Sequence, residues 1–232
     1  MGVFETMRVY NGRIVYFAQH LKRLKASACL LGLKFPAQLK SAVKEKVKSH
    51  CHRDLRMRVV VYQAKGKTGF SISARKYKPF TECKYKTGFS VYLSGLKQDK
   101  NSIFARIKST RRALYEAAYK QARKKGFDEA LILNQDGVIC EASRSNIFLV
   151  KDNALWTPAL ACGCLPGITR KVIFDLARVS GIKVKPSRLN LADLDQAEEA
   201  FLTNSLIGVM PIKNKCGKIS LLLQKKYNSL LA

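Results

Sequence analysis

Glu129-Ala130-Leu131-Ile132-Leu133, Asn134-Gln135-Asp136-Gly137, Val138-Ile139-Cys140: this run reads as a strand, a turn and a returning strand. The pattern repeats after the polar stretch Glu141-Ala142-Ser143-Arg144-Ser145. There Asn146-Ile147-Phe148-Leu149-Val150 and Ala154-Leu155-Trp156-Thr157 flank Lys151-Asp152-Asn153. Asn, Asp and Gly between runs of large apolar residues are hairpin turns, because these residues accept the backbone angles a tight reversal needs. Two successive hairpins, apolar along most of their length, predict a sheet-rich half with a barrel-like core.

Working outward, Thr110 to Lys125 reads as a helix before this sheet, with Leu114, Ala117, Ala118 and Ala122 inside and Gly126 closing it. Downstream, Pro166-Gly167-Ile168-Thr169 leads into a helix from Arg170 to Val179, and Gly181–Val184 and Ala200–Thr203 are further strands. Upstream, Gly95 to Asn101 is polar and unpatterned. The N-terminal part opens on a hairpin at Val9 to Val15 with Asn11-Gly12 at its tip. Helices over His20–Leu31 and Leu39–Val47 follow, then strands at Arg56–Tyr62, Gly69–Ala74 and Gly88–Leu93. The expected organisation is α+β with two domains: a small sheet-plus-helices domain over 1–95, a linker over 96–102, and a barrel-like α/β domain over 103–232.

With 47% hydrophobic residues the chain can build a core, which excludes a disordered polycation despite 43 Lys+Arg against 16 Asp+Glu and a formal charge of +27. The basic residues are spread along the whole length and form no tail. That describes a lysine-rich solvated surface, and it keeps a nucleic-acid-binding protein on an inactive enzyme scaffold as the rival reading. A positive field also draws in anionic substrates. No apolar run is long enough for a membrane span, and the start shows no basic-then-apolar leader pattern. Seven scattered cysteines form no disulfide framework and fit a reducing, cytoplasmic setting. His50-Cys51-His52 has no second ligand pair at metal spacing, and Cys162-x-Cys164 lacks redox spacing, so no metal is expected.

Four places carry chemistry. Leu165-Pro166-Gly167-Ile168-Thr169-Arg170 opens a helix whose first N–H groups have no internal partner, an arrangement that suits a phosphate as well as a plain helix start. Asn204-Ser205 follows the strand Ala200–Thr203 and offers either a second anion contact or an ordinary turn. Glu141, between two apolar strands, needs a cationic or N–H partner, which Arg144 or a ligand could supply. Lys108 lies between apolar Ile103–Ile107 and Arg111-Arg112, and cationic neighbours with partial burial lower an amine pKa.

Together with Gly2-Val3-Phe4-Glu5-Thr6-Met7-Arg8, His20-Leu21-Lys22-Arg23-Leu24, Ile107-Lys108-Ser109, Gly126–Leu131, Glu141–Val150 and Phe201–Ser205, in this order, the chain resembles the fold-type IV, class IV aminotransferase-like family over its whole length. That family uses pyridoxal 5′-phosphate (PLP) and includes branched-chain and D-amino acid aminotransferases and 4-amino-4-deoxychorismate lyases. The resemblance implies that Lys108 holds the cofactor as a Schiff base and shuttles protons. It implies that Glu141 faces the pyridine nitrogen, and that Arg23, Ile168, Thr169, Asn204 and Ser205 hold the phosphate. It further implies a small anionic amino substrate and a homodimer.

Thr203-Asn204-Ser205-Leu206-Ile207-Gly208-Val209-Met210-Pro211-Ile212 is most similar to the lyase branch. The expectation is therefore a lyase that converts 4-amino-4-deoxychorismate to 4-aminobenzoate and pyruvate. The alternative is an aminotransferase for branched-chain or D-amino acids with 2-oxoglutarate. The sequence departs from the family pattern at Arg111, where many relatives have Asn, and at Gln63-Ala64, where many have Arg-Gly. Relatives also carry a strand-bearing segment ahead of Gly-Val-Phe-Glu-Thr, so the first sheet is expected to lack strands.

Overall fold

The computed structural model describes residues 1–231, which fall into two compact units. The first comprises Met1–Pro79 with Ile107–Arg111, and the second Phe80–Arg106 with Arg112–Ala232. The units therefore divide elsewhere than at the expected 96–102 linker. The expected linker is half strand, and the Lys108 segment belongs with the first unit although the sequence places it in the second half.

In the first unit, β1 (Gly2–Tyr10), β2 (Arg13–Ile14), β3 (Leu55–Ala64) and β4 (Lys67–Lys76) form an antiparallel sheet in the order β2-β1-β3-β4. The β1–β2 turn has Asn11 at φ 49° and Gly12 at φ 78°, the two positive angles that a primed hairpin turn requires. Alternation sends Val3, Glu5, Met7 and Val9 of β1 and Leu55, Met57, Val59 and Val61 of β3 to one buried face. Helices α1 (Phe17–Leu30) and α2 (Leu39–Lys48) belong to the same unit. α1 buries His20, Leu24, Ser27 and Ala28, a single stripe at helical spacing that packs on β1. After a detour through the second unit the chain returns: Ser109 bridges Val3, Phe4 N–H donates to the Lys108 carbonyl at 2.8 Å, and Thr110 N–H donates to Gly2 O at 2.8 Å.

The second unit begins with α3 (Glu82–Thr87), which Thr81 caps, and β5 (Val91–Gln98). β5 pairs in parallel with β6 (Glu129–Asn134), and the register shifts between Leu93 and Lys97. At the shift Leu96 N–H donates to Ser94 Oγ, so a local side-chain turn interrupts the alternation and made a strand look like a linker. The short helix α4 (Ile103–Arg106) and α5 (Ala113–Lys124) follow. α5 starts three residues later than its pattern suggests because Lys108–Thr110 is spent on β1.

β7 (Ile139–Ala142) completes a sheet β5-β6-β7, and β8 (Asn146–Lys151) and β9 (Ala154–Pro158) form the second hairpin. Then come α6 (Ile168–Val179), β10 (Val184–Ser187), α7 (Leu191–Gln196), β11 (Glu199–Asn204), β12 (Gly208–Pro211) and α8 (Lys218–Ser229). The second sheet runs β10-β9-β8-β11-β12. Its ends meet the β5-β6-β7 sheet at the Phe89–Ile212 bridge and where Ala142 N–H donates to Ser145 O. The enclosed core contains Phe89, Leu131, Ile139, Ile147, Leu149, Leu202 and Met210. At the closure Gly88 allows a close approach: a Cβ there would stand 2.7 Å from Pro211 O. The barrel-like reading of this half and the α+β class hold.

Candidate active site

In the first unit the chemistry gathers around Glu5. It lies on the buried face of β1 and is almost inaccessible, so it must be neutralised within the protein. Arg23 of α1 donates to it twice, from Nε to Oε1 and from Nη2 to Oε2, each at 2.7 Å. His20, one helical turn earlier, lies with Nδ1 2.7 Å from Oε2. Burial raises the Glu5 pKa, but Arg23 and His20 outweigh it and hold it at about 2. An ionised Glu5 accepts only, so His20 donates from Nδ1. Burial lowers the His20 pKa, and the charges of Arg23 and Lys108 add to that against the pull of Glu5. Arg23, partly exposed, thus anchors α1 to β1, a role that its expected place as a phosphate ligand did not foretell. The signal in the sequence was an acid at an inward-facing strand position, between Val3 and Met7.

The Lys108 carbonyl accepts from Phe4 N–H and Thr110, two residues on, is bonded to Gly2, while Lys108 Nζ stands 5.0 Å from the centre of the Phe4 ring. A rigid backbone under a flexible amine suits a group that must bond and then move a proton.

In the second unit Glu141 ends β7 and is buried. Its Oε1 accepts from the Tyr115 hydroxyl at 3.0 Å, and its Oε2 accepts from Leu165 N–H at 3.2 Å and from Asn146 Nδ2 at 3.4 Å. Arg144, the rival partner by sequence, instead stacks on Tyr119 and pairs with Glu116. Asn146 also donates to Leu165 O at 2.9 Å, which ties the Glu141 carboxylate to the loop that opens α6.

In that loop Gly167 has no room for a side chain, since a Cβ would collide with Asn146 Oδ1. Gly167 caps α6 with no side-chain bond, so the first-turn N–H groups of Ile168 and Thr169 lack an intrahelical partner. Thr169 is 2% exposed, and its Oγ1 is buried without a hydrogen-bond partner. A buried hydroxyl without a partner at a helix N-terminus fits a phosphate.

Asn204 builds the turn that the sequence left open beside an anion contact. Its Nδ2 donates to Ser145 Oγ at 3.0 Å and Arg144 O at 3.2 Å, and its Oδ1 accepts from Leu206 and Ile207 N–H. The side chain builds the turn after β11 and leaves Ser205 at its tip. Tyr115, Asn146, Glu5 and His20 were not singled out from the sequence. Cys162 and Cys164 are both buried, and burial pushes the Cys164 thiol up to about 12, which leaves it inert as a nucleophile.

Comparison with known proteins places these features in one family. The profile of the family described as amino-transferase class IV matches residues 2–214. A protein of Rickettsia bellii (strain RML369-C) assigned as a branched-chain-amino-acid aminotransferase is 32% identical over 228 residues, covering 92% of this chain and 77% of that protein. The crystal structure of a branched-chain aminotransferase from Thermoproteus uzoniensis with norvaline is similar with a TM-score of 0.91 at 28% identity, over 99% of this chain and 85% of that one. A structure assigned as a 4-amino-4-deoxychorismate lyase is similar with a TM-score of 0.86, also at 28% identity, over 97% of this chain and 89% of that one. The two activities stand at equal identity among these structures.

Proposed function

Because the chain belongs to the class IV aminotransferase family and is a PLP-dependent enzyme, we propose that it is a lyase converting 4-amino-4-deoxychorismate to 4-aminobenzoate and pyruvate. What carries this reading is the segment Thr203–Ile212, which resembles the lyase branch. It forms the end of β11, a turn held by Asn204 Oδ1, and β12.

PLP, when bound, supplies an electron sink for the carbon that carries the substrate amine. The chain's own groups supply the rest. The N–H groups of Ile168 and Thr169 and the Thr169 and Ser205 hydroxyls would hold the phosphate, and Arg23 would add a cation. Glu141 would accept from the pyridine N–H and keep it protonated. Lys108 Nζ would take the proton from the amine-bearing carbon and return one as the enol-pyruvyl group departs, so that the ring becomes aromatic and pyruvate leaves. We place the enzyme in the cytoplasm as a homodimer, in keeping with the family habit and with seven free cysteines. No helix among the described residues is long and apolar enough to cross a membrane.

The 32% identity to the Rickettsia branched-chain protein, with 30% to a D-alanine aminotransferase of Listeria innocua, favours a second reading, an aminotransferase acting on branched-chain or D-amino acids with 2-oxoglutarate. Purified enzyme with PLP and aminodeoxychorismate should release 4-aminobenzoate and pyruvate one for one, with no amino acceptor present. No release, together with glutamate formed from 2-oxoglutarate and a branched-chain or D-amino acid, would replace the lyase by the aminotransferase.

A further inference from the structure

Across the first sheet three arginines share one register row. Arg8 of β1 pairs with Arg56 of β3, and Arg56 pairs with Arg75 of β4. All three lie on the face opposite the buried one, since Arg8 alternates with Met7 and Val9, and Arg56 with Leu55 and Met57. Like charges directly opposed on a ladder repel. Among the described residues no carboxylate lies within ion-pair distance of any of them. Aromatic rings offset part of the cost: the Arg8 guanidinium lies 5.1 Å from the Tyr10 ring centre and 5.0 Å from that of Tyr77. Its Nε is nonetheless buried with no hydrogen-bond partner. A merely solvated basic surface has no reason to hold a guanidinium between two rings with one donor unmet.

The same face carries the amine. Phe4 and Arg8 are both on it, four residues apart on β1. The Phe4 ring has Lys108 Nζ at 5.0 Å and the Arg58 guanidinium at 3.8 Å on it. Along the strand the arginine row therefore lies about 14 Å from the Phe4 position, at roughly 3.4 Å per residue. The long side chains cover part of that distance.

We propose that Arg8, Arg56 and Arg75 form an anion site that takes an acidic group of the substrate remote from its reacting amine. The substrate class is then an extended amino diacid and not a short amino acid with a hydrocarbon side chain. The inference rests on the proposed function, in which Lys108 is the reacting amine of a PLP enzyme.

The test compares racemic 2-aminoheptanedioate with racemic 2-aminoheptanoate, which differ only in the far carboxylate. Each is titrated at fixed ionic strength into the PLP-loaded protein, and binding is read from the cofactor's absorbance and by calorimetry. The diacid should bind about tenfold more tightly than the monoacid, the scale of partly exposed charge-assisted contacts. In Arg56→Gln/Arg75→Gln the two ligands should bind within about twofold of each other, these contacts being lost. The single variant Arg75→Gln, at an exposed strand end, should lie between. Equal affinities in the parent protein, or a preference unchanged in the variants, would overturn the arginine site while PLP uptake leaves the enzyme reading standing. A protein that takes up no PLP at Lys108 overturns both.

Discussion

The hydroxyl of Tyr115 on α5 donates a 3.0 Å hydrogen bond to Oε1 of Glu141 at the end of β7, and both residues are buried. Burial and the neighbouring Glu141 charge raise the Tyr115 pKa, so the phenol keeps its proton and remains a donor. With Leu165 N–H on Oε2, the carboxylate is fixed from both sides. Tyr115→Phe keeps the ring in its packing and removes only this bond. A hydrogen bond to a charged group contributes about 1.5–3 kcal/mol. The variant should bind PLP with a shifted absorbance band and turn over about ten- to a hundredfold more slowly, by the same conversion. Tyr115→Ala with added phenol should recover part of the rate. A spectrum and rate identical to the parent would show that Glu141 needs no such support.

Lys108 should be the single attachment point of the cofactor. Its carbonyl is bonded to Phe4 N–H and the segment is tied again by Thr110 to Gly2, so the amine returns to one place. Borohydride treatment followed by peptide mapping should find the reduced cofactor on Lys108. Lys108→Ala should lose turnover while its melting temperature, measured without PLP, stays near that of the parent. Reduced cofactor on any other lysine would remove Lys108 from the mechanism.

Much of this was legible because the relevant residues obey local rules. Asn11-Gly12, Asp152-Asn153 and the start of α6 announce themselves by turn and capping chemistry. The misses have physical causes. The β5 bulge broke the alternation that identifies a strand. The helix α8 faces inward with Ser220 beside Leu223 and Tyr227, so its apolar stripe is interrupted by a polar residue. The bonds of Arg23 to Glu5, 18 residues away, and of Tyr115 to Glu141, 26 away, are tertiary, and no periodicity encodes them. Asn204 was a phosphate contact by resemblance alone; its residue type left an ordinary turn open, and its side chain does build that turn.

The Glu5 anchor predicts an acid-sensitive fold. Its folded pKa of about 2 lies below the ordinary value of 4.5, so its contribution is complete above about 4.5 and is lost as pH falls toward 2. A shift of that size corresponds to stability on the order of 3 kcal/mol. His20, lowered from 6.5, acts in the same direction, because the unfolded chain takes up its proton first as pH falls. Glu5→Gln should be less stable at pH 7 and show a flatter loss of stability between pH 4.5 and 2, measured by urea unfolding. Arg23→Ala takes two charge-assisted bonds away from the buried carboxylate and should cost about 3–5 kcal/mol, as for other broken buried pairs. Weak PLP binding in that variant at the parent's stability would instead return Arg23 to a purely phosphate-binding role.

Thr169 separates binding from folding. Its Oγ1 is buried and makes no hydrogen bond within the protein, so the hydroxyl contributes nothing to the fold and costs its desolvation. Thr169→Val replaces it with a methyl of nearly the same shape. The apoprotein should then be as stable as the parent or more so, by up to about 1–3 kcal/mol, the range for an unsatisfied buried group. PLP affinity should move the other way. The phosphate would lose one charge-assisted donor while keeping the N–H groups of the helix start, a loss of about 1.5–3 kcal/mol. Turnover at saturating PLP should change little, because the phosphate is remote from the reacting carbon and is bound alike in ground and transition states. Paired measurements of apoprotein melting and PLP titration decide the matter. If the variant melts lower and binds PLP as the parent does, Oγ1 serves the fold, and the phosphate site at the start of α6 is misplaced.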